Sequence, residues 1–205
     1  MKIVIVDYGS GNLRSVQKGF EKGGHSAIIS SSPELVANAT HLVVPGVGAF
    51  SECMKNLERL HLLKPIRAAI LGGKPYLGIC LGLQILFTAG EEFGSCPGMD
   101  IMPGKVVRLP NTVKVPHIGW NQIHIEKETP VFSGISQNEH FYFVHSYYGI
   151  PNEKSDIAAT TEYGVSFTSV IARDNIFACQ FHPEKSQAMG LRILSNFAKQ
   201  EQTTP

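Results

Sequence analysis

The chain has 205 residues, of which 43% are hydrophobic and 17% charged, with a formal net charge of +1. That length suits one domain with a substantial core, and the balance excludes a disordered chain and an electrostatic nucleic-acid binder. No segment approaches the ~20 consecutive apolar residues of a membrane span, and MKIVIVDYG is too short an apolar run for a secretory signal, so a cytoplasmic protein with no membrane contact is expected.

Ile3–Val6 is an unbroken β-branched run and predicts a first strand, ended by Asp7-Tyr8-Gly9-Ser10-Gly11. Asn12 is placed to cap a helix that reaches about Lys22 and stops at Gly23-Gly24. A short strand, Ala27–Ile29, precedes Ser32-Pro33-Glu34, which reads as N-cap, N1 proline and first-turn acid. His41–Val44 predicts a third strand, stopped by Pro45-Gly46-Val47-Gly48. Helical spacing covers Phe50–Arg59 and Leu63–Leu71. Tyr76–Ile79 predicts a fourth strand, with a helix over Leu81–Ala89 behind it. Short buried strands alternating with helices argue for a parallel sheet covered on both faces.

After Phe93 the texture changes. Prolines and glycines punctuate short apolar runs at Lys105–Leu109 and Gln122–Ile125, and β-rich segments follow at Phe141–Tyr148, Ile157–Thr161, Ser166–Ala172 and Ile176–Phe181. Ser186–Lys199 reads as a closing helix. The expected fold class is α/β: a mainly parallel central sheet flanked by helices, with an antiparallel C-terminal portion, residues 1–205 forming one domain.

The four cysteines, Cys53, Cys80, Cys96 and Cys179, follow neither a disulfide framework nor a C-x-x-C metal pattern. Cys80 stands apart. Gly78-Ile79-Cys80-Leu81-Gly82 has the G-x-nucleophile-x-G form of a sharp strand-to-helix turn, where neighbours two residues away must be minimal. The helix behind it would favour a thiolate through its dipole. Acyl chemistry on a thiolate needs a base and an orienting group, and the segment CQFHPEKS supplies His182 and Glu184 past the end of a predicted strand. Gly46-Val47-Gly48 could present backbone N–H groups to a developing oxyanion, with the Leu81 N–H as second donor. Gly9-Ser10-Gly11 is no dinucleotide site, because position 14 is Arg where G-x-G-x-x-G needs Gly. The eight histidines show no H-x-x-x-H pairing, so neither a metal nor an organic cofactor is expected.

Taken in order, PGVG, GICLGLQ and QFHPE resemble the class I, triad-type glutamine amidotransferases. DYGSGNLRSV, PGVGAF, LGLQILF…EE, PHIGWN, HFYFVHSYY and FHPEKS extend the likeness from Lys2 to Phe197, toward the glutaminase subunits of imidazole glycerol phosphate synthases. The resemblance implies a flavodoxin-like amidotransferase fold. It implies hydrolysis of L-glutamine to L-glutamate and ammonia through a thioester on Cys80, with His182 as base and acid and Glu184 as orienter. The oxyanion hole would be built from Val47, Gly48 and Leu81, and glutamine held by Gly46, Gln84, Glu92, Ser146 and Tyr147. The implied partner is a (β/α)8 cyclase subunit in a heterodimer. The cyclase would use the ammonia to make imidazole glycerol phosphate and aminoimidazole carboxamide ribonucleotide in histidine biosynthesis. Asn12, Trp120, Tyr142 and Lys185 match positions near that interface and its ammonia passage, although Trp120 and Tyr142 also read as core aromatics and Asn12 as a plain helix cap.

Cys179 departs from the small or aliphatic residue usual at its position and is expected to be an inert packing thiol. Two other readings stay open: a paralogous glutaminase feeding a cyclase-like partner in sugar amination, and a catalytically dead scaffold that binds the barrel. The glycines flanking Val47 let its peptide turn over at little steric cost. An oxyanion hole that stays incomplete until the partner binds is therefore expected.

Overall fold

Short β-branched runs with no polar residue to offer solvent must be covered on both sides, and that requirement sets the centre of the fold. The computed structural model describes residues 1–92 and 94–203. Its first part runs β1 (Ile3–Val6), α1 (Leu13–Lys22), β2 (Ala27–Ser30), α2 (Pro33–Ala37), β3 (His41–Gly46), α3 (Phe50–Arg59), α4 (Leu63–Leu71), β4 (Tyr76–Cys80) and α5 (Leu81–Gln84). Every residue of β1, β3 and β4 is buried. The second part continues with β5 (Phe87–Gly90), β6 (Cys96–Pro97), β7 (Met102–Arg108), β8 (His117–Gln122), β9 (His124–Ile125), β10 (His140–His145) and β11 (Tyr147–Pro151). It closes with β12 (Ile157–Glu162), β13 (Ser166–Arg173), β14 (Ile176–Cys179) and α6 (Gln187–Ala198).

The main sheet has the order β2-β1-β3-β4-β14-β13-β12-β9. Pairing is parallel from β2 to β14 and antiparallel beyond it. Strand β14 is the hinge of this arrangement: it arrives last in the chain yet lies parallel against β4, pairing Cys179 with Ile79. Two smaller sheets, β10-β8 and β11-β7-β5-β6, carry the rest.

Alternate residues along each strand face opposite sides, so the sheet generates two cores. Ile3, Ile5, Val43, Leu77 and Ile79 pack with Val16 and Phe20 of α1 and Ile193, Leu194 and Phe197 of α6. Val4, Val6, Leu42, Val44 and Tyr76 pack with Val36 of α2, Cys53 and Leu57 of α3, and Ile66 and Ile70 of α4. The bounds expected for Phe50–Arg59 and Leu63–Leu71 match α3 and α4 residue for residue.

Three expectations need correction. The helix read over Leu81–Ala89 ends at Gln84, and Phe87–Gly90 becomes β5. Ile85, Leu86 and Phe87 are apolar on every side, so no helical face is encoded, and tertiary partners capture the chain. The carbonyl of Ile85 receives Met99, and that of Leu86 receives Ile101 and Met102. The run read as Phe141–Tyr148 breaks at Ser146, where the chain leaves β10 for β11 and a different sheet. Asn12 makes no side-chain cap; its carbonyl receives Ser15 and Val16 instead.

Candidate active site

Cys80 sits at the last position of β4 with φ 54° and ψ −103°, a backbone region that side-chain-bearing residues rarely occupy. The flanking glycines explain how the turn closes. A Cβ on Gly82 would collide with the Val44 carbonyl, and one on Gly78 with the Gly82 carbonyl. Tyr76 ties the same turn from below, its hydroxyl donating to Gly82 O at 2.8 Å. Because α5 is a single turn, it carries little of the aligned dipole that a nine-residue helix would bring to the sulfur. The sulfur's company must come from elsewhere.

That company comes from the segment after β14. His182 is buried, and its Nδ1 lies 2.8 Å from Glu184 Oε1. Its Nε2 is buried without a hydrogen-bond partner, and Cys80 is near enough for its charge to act on the ring. Burial by itself lowers the imidazole's pKa; the negative charge of Cys80 and the bond and charge of Glu184 outweigh it, raising the value to about 10. The His182 backbone is fastened as well. Its N–H donates to Tyr142 O at 2.9 Å, and its carbonyl accepts from Ser186 Oγ at 2.6 Å, while Ser186 Oγ accepts from Tyr142 N at 2.9 Å.

A cavity of about 270 Å³ opens on the sulfur, lined by Val47, Gly48, Leu81, Gln84, Glu92 and the 144–147 stretch, together with Cys80 itself. The chain's departure from β10 into β11 is what brings Ser146 and Tyr147 to its wall. Glu92 reaches it from the other side, with one carboxylate oxygen accepting Phe50 N–H at 2.7 Å at the start of α3. Gly48 adopts φ 97°, reserved in practice for glycine. The peptide between Val47 and Gly48, which sequence reading leaves free to turn, is held here: Ser10 Oγ donates to the Val47 carbonyl at 2.8 Å.

Comparison with known proteins shows the family. The family model described as Glutamine amidotransferase class-I matches residues 4–200. The chain belongs to this family. The relatives named imidazole glycerol phosphate synthase subunit HisH include the following two. The protein of Syntrophotalea carbinolica is 55% identical, with 95% of this chain and 98% of that protein covered. The protein of Geobacter sulfurreducens is 51% identical, with 97% and 98% covered. The solved structure of PurLQS from Thermotoga maritima superposes with a TM-score of 0.74 at 16% identity, covering 96% of this chain and 97% of that one, a likeness of fold.

On this amidotransferase, the residues matched to a partner face lie partly together. Trp120 on β8 and Tyr142 on β10 are register partners whose rings meet edge to face at 6.2 Å. Lys185 Nζ sits over the Tyr142 ring at 5.7 Å. Trp120 is 46% exposed and Ile118, two residues earlier on the same strand face, 60%, so the core reading of Trp120 fails. Asn12 is exposed at the head of α1, the helix that packs on the Pro183–Lys185 turn.

Sequence reading passed over Gln180 and Ser186, although both stand inside the quoted CQFHPEKS, and over His145 in HFYFVHSYY. Gln180 is wholly buried and donates to Cys80 Sγ at 3.4 Å. A polar residue set inside an apolar strand run was the available signal. Cys179, expected to be inert, is buried with its thiol turned to Phe181 O at 3.4 Å, and burial, reinforced by the nearby charges of Glu184 and Cys80, pushes it well above the usual thiol range.

Proposed function

We propose that this chain is the glutaminase of an imidazole glycerol phosphate synthase, residues 1–205 acting as one amidotransferase domain in the cytoplasm. The buried, unpartnered Nε2 of His182 beside a strained Cys80 carries the reading. Cys80, as a thiolate whose proton already rests on His182, attacks the side-chain carboxamide carbon of L-glutamine. The tetrahedral oxygen is received by the Leu81 N–H and an N–H of the Val47–Gly48 stretch. His182 returns the proton to the departing nitrogen, the C–N bond breaks and ammonia leaves a thioester on Cys80. Water, deprotonated by His182, then attacks that carbonyl; the C–S bond breaks and L-glutamate is released. Glu184 keeps Nδ1 protonated and stabilises the imidazolium throughout. Gly46, Gln84, Glu92, Ser146 and Tyr147 hold the substrate, the Glu92 carboxylate answering its ammonium group.

Ammonia passes to a (β/α)8 cyclase subunit docked over Asn12, Trp120, Tyr142 and Lys185, which uses it to form imidazole glycerol phosphate and aminoimidazole carboxamide ribonucleotide. Among the described residues no helix is long and apolar enough to cross a membrane. The deciding experiment mixes the chain with its cognate cyclase and measures glutamine-dependent product formation. An irreversible glutamine analogue should label Cys80 alone; label on Cys53, Cys96 or Cys179 refutes the mechanism. Turnover by the isolated chain should be slower by ~10²–10³-fold, the worth of one missing oxyanion donor. Full activity without the cyclase would remove the gate while leaving Cys80, His182 and Glu184 in place.

A further inference from the structure

Gln180 is the one polar side chain between Cys179 and Phe181 in a stretch that is otherwise apolar and fully buried. Its amide is satisfied on both sides, and the two sides differ. Oxygen Oε1 accepts from Gln84 Nε2 at 3.1 Å, and Nε2 donates to Cys80 Sγ at 3.4 Å. An amide can ordinarily be reversed end for end, but here the partners forbid it. Gln84 Nε2 also lies 2.9 Å from the Tyr147 carbonyl, which only accepts, so the nitrogen end of Gln84 is fixed and must present its second N–H to Gln180. Gln180 therefore shows oxygen to Gln84 and N–H to the sulfur.

The same carbonyl anchors a second line of donors. His145 Nδ1 lies 2.9 Å from Tyr147 O and must carry the proton, which leaves its Nε2 as an acceptor. His117 Nδ1, at 3.0 Å, is then the donor to it, and His117 Nε2 accepts from Asn121 Nδ2 at 3.3 Å. Asn121 is itself oriented, donating to Glu162 O at 3.0 Å and accepting Gln122 N–H at 2.8 Å. Both imidazoles are neutral in this scheme, and burial lowers His117 to about 4 and His145 to about 3. Every link has one direction. Two lines of donors, one starting at half-buried Asn121 and one at Gln84, meet on a single carbonyl, and Gln84 passes the order on to Gln180.

We propose that Gln180 is a positioning residue for the nucleophile: its N–H holds the Cys80 sulfur as a thiolate facing His182, in an orientation that Gln84 and the Tyr147 carbonyl enforce. The proposal rests on the reading of Cys80 as the nucleophile. The opposing influence is the Val144 carbonyl, 3.9 Å from Sγ, which a thiol can donate to and a thiolate cannot. The Gln180 N–H lies nearer the sulfur, at 3.4 Å, than the Val144 carbonyl does, and the neighbouring imidazolium of His182 adds its charge on the same side, so the charged sulfur is favoured. Once the sulfur is acylated it loses its charge and the Gln180 bond weakens, so the residue acts on the resting nucleophile more than on the thioester.

The test follows the sulfur's protonation directly. Iodoacetamide labelling of Cys80 is measured against pH in the complex with the cyclase, for wild type and for Gln180→Met, which keeps the volume and removes the donor. The labelling midpoint should rise by roughly 1–2 pH units, the size of one hydrogen bond to a charge. Glutamine turnover should fall about tenfold or more at neutral pH and recover toward wild type as pH rises through the new midpoint, with KM changed less than kcat. The other titratable groups around the sulfur are His182 with Glu184, His145 and Glu92 on the cavity, and Tyr8 and Cys179, which feel its charge. All are common to both proteins, so the difference belongs to Gln180. An unmoved midpoint, or a turnover loss equal at every pH, overturns the proposal. Should Gln180→Met not fold, the wild-type side-chain amide resonance of Gln180, followed by ¹⁵N NMR, should shift as Cys80 titrates and stop shifting once Cys80 is alkylated; a resonance indifferent to both also overturns it. Failure to label Cys80 at all would instead defeat the catalytic reading.

Discussion

Strands β4 and β14 lie side by side, run parallel, and each ends on a buried cysteine. Cys80 closes β4 and Cys179 closes β14. Burial is shared, so burial decides nothing. Cys179 keeps ordinary strand geometry and turns its thiol to a backbone carbonyl, among groups that disfavour its ionisation. Cys80 is forced to positive φ and faces an imidazole and an amide N–H. Reactivity in a sheet this dry comes from how the backbone leaves the strand and what waits there. The division of labour is equally plain: β4 contributes a strained turn, and β14 runs on into Gln180, His182 and Glu184.

The widest separation should appear between the two cysteines themselves. Cys80→Ala should cut glutamine turnover by on the order of 10⁴–10⁶-fold, as loss of a nucleophile does elsewhere, while the complex keeps its ammonia-driven synthesis. Cys179→Ala should leave turnover within about twofold and lower unfolding stability by roughly 1–2 kcal/mol through the small cavity it opens. Steady-state kinetics and urea melts of both variants make the comparison; similar activity losses would erase it.

The next contrast lies within the β14 segment. His182→Ala should reduce turnover by ~10²–10⁴-fold, the range of lost acid–base assistance, and by more than Glu184→Ala, which removes only the orienting contact. A larger deficit in the Glu184 variant would reassign the base.

Two kinds of buried histidine should show opposite pH limbs in thermal melts. His182 is raised from 6.5 to about 10, so its charge contributes stability fully below pH 6.5 and loses that contribution as pH climbs through 10. His117 and His145 are lowered to about 4 and about 3, so the unfolded chain takes up their protons first. Their stability is present above pH 6.5 and is lost as pH falls through 4 and 3. His182→Gln should flatten the alkaline limb and His145→Gln the acid limb. The reverse pattern would contradict the charge assignment around the sulfur.

The smallest effect on the fold should come from the exposed face. Trp120→Ala should change the stability of the isolated chain by about 0.5 kcal/mol or less, yet weaken the cyclase complex by roughly 2 kcal/mol if Trp120 is an interface anchor. Calorimetric titration against the cyclase reads it, and unaltered affinity would move the docking face elsewhere.

Local signals accounted for much of this architecture. The N-cap at Ser32 holds Leu35 N–H as its Ser-Pro-Glu order promises, and α3 and α4 begin and end where spacing and glycine put them. Gly78 and Gly82 marked the turn because close backbone approach leaves no room for a Cβ, a constraint written into residue choice. What could not be read were contacts between segments far apart in the chain. Phe87–Gly90 left the helix because β6 and β7 pair with it. Ser10 reached Val47, and Ser186 tied His182 to Tyr142, each across a gap no periodicity records.

The sequence by itself determined the strand and helix alternation, the strained turn at Cys80 and the three residue types its chemistry needs, because each follows from sterics or side-chain chemistry within a few positions. The tertiary structure alone decided that β14 would lie against β4, and with it that Gln180 and His182, some hundred residues downstream, would face the sulfur. Burial shifts His182 and His145 in the same direction, yet neighbours on other strands leave one charged and the other neutral. Electrostatics acts through space, and the distances it depends on exist only once the chain has folded.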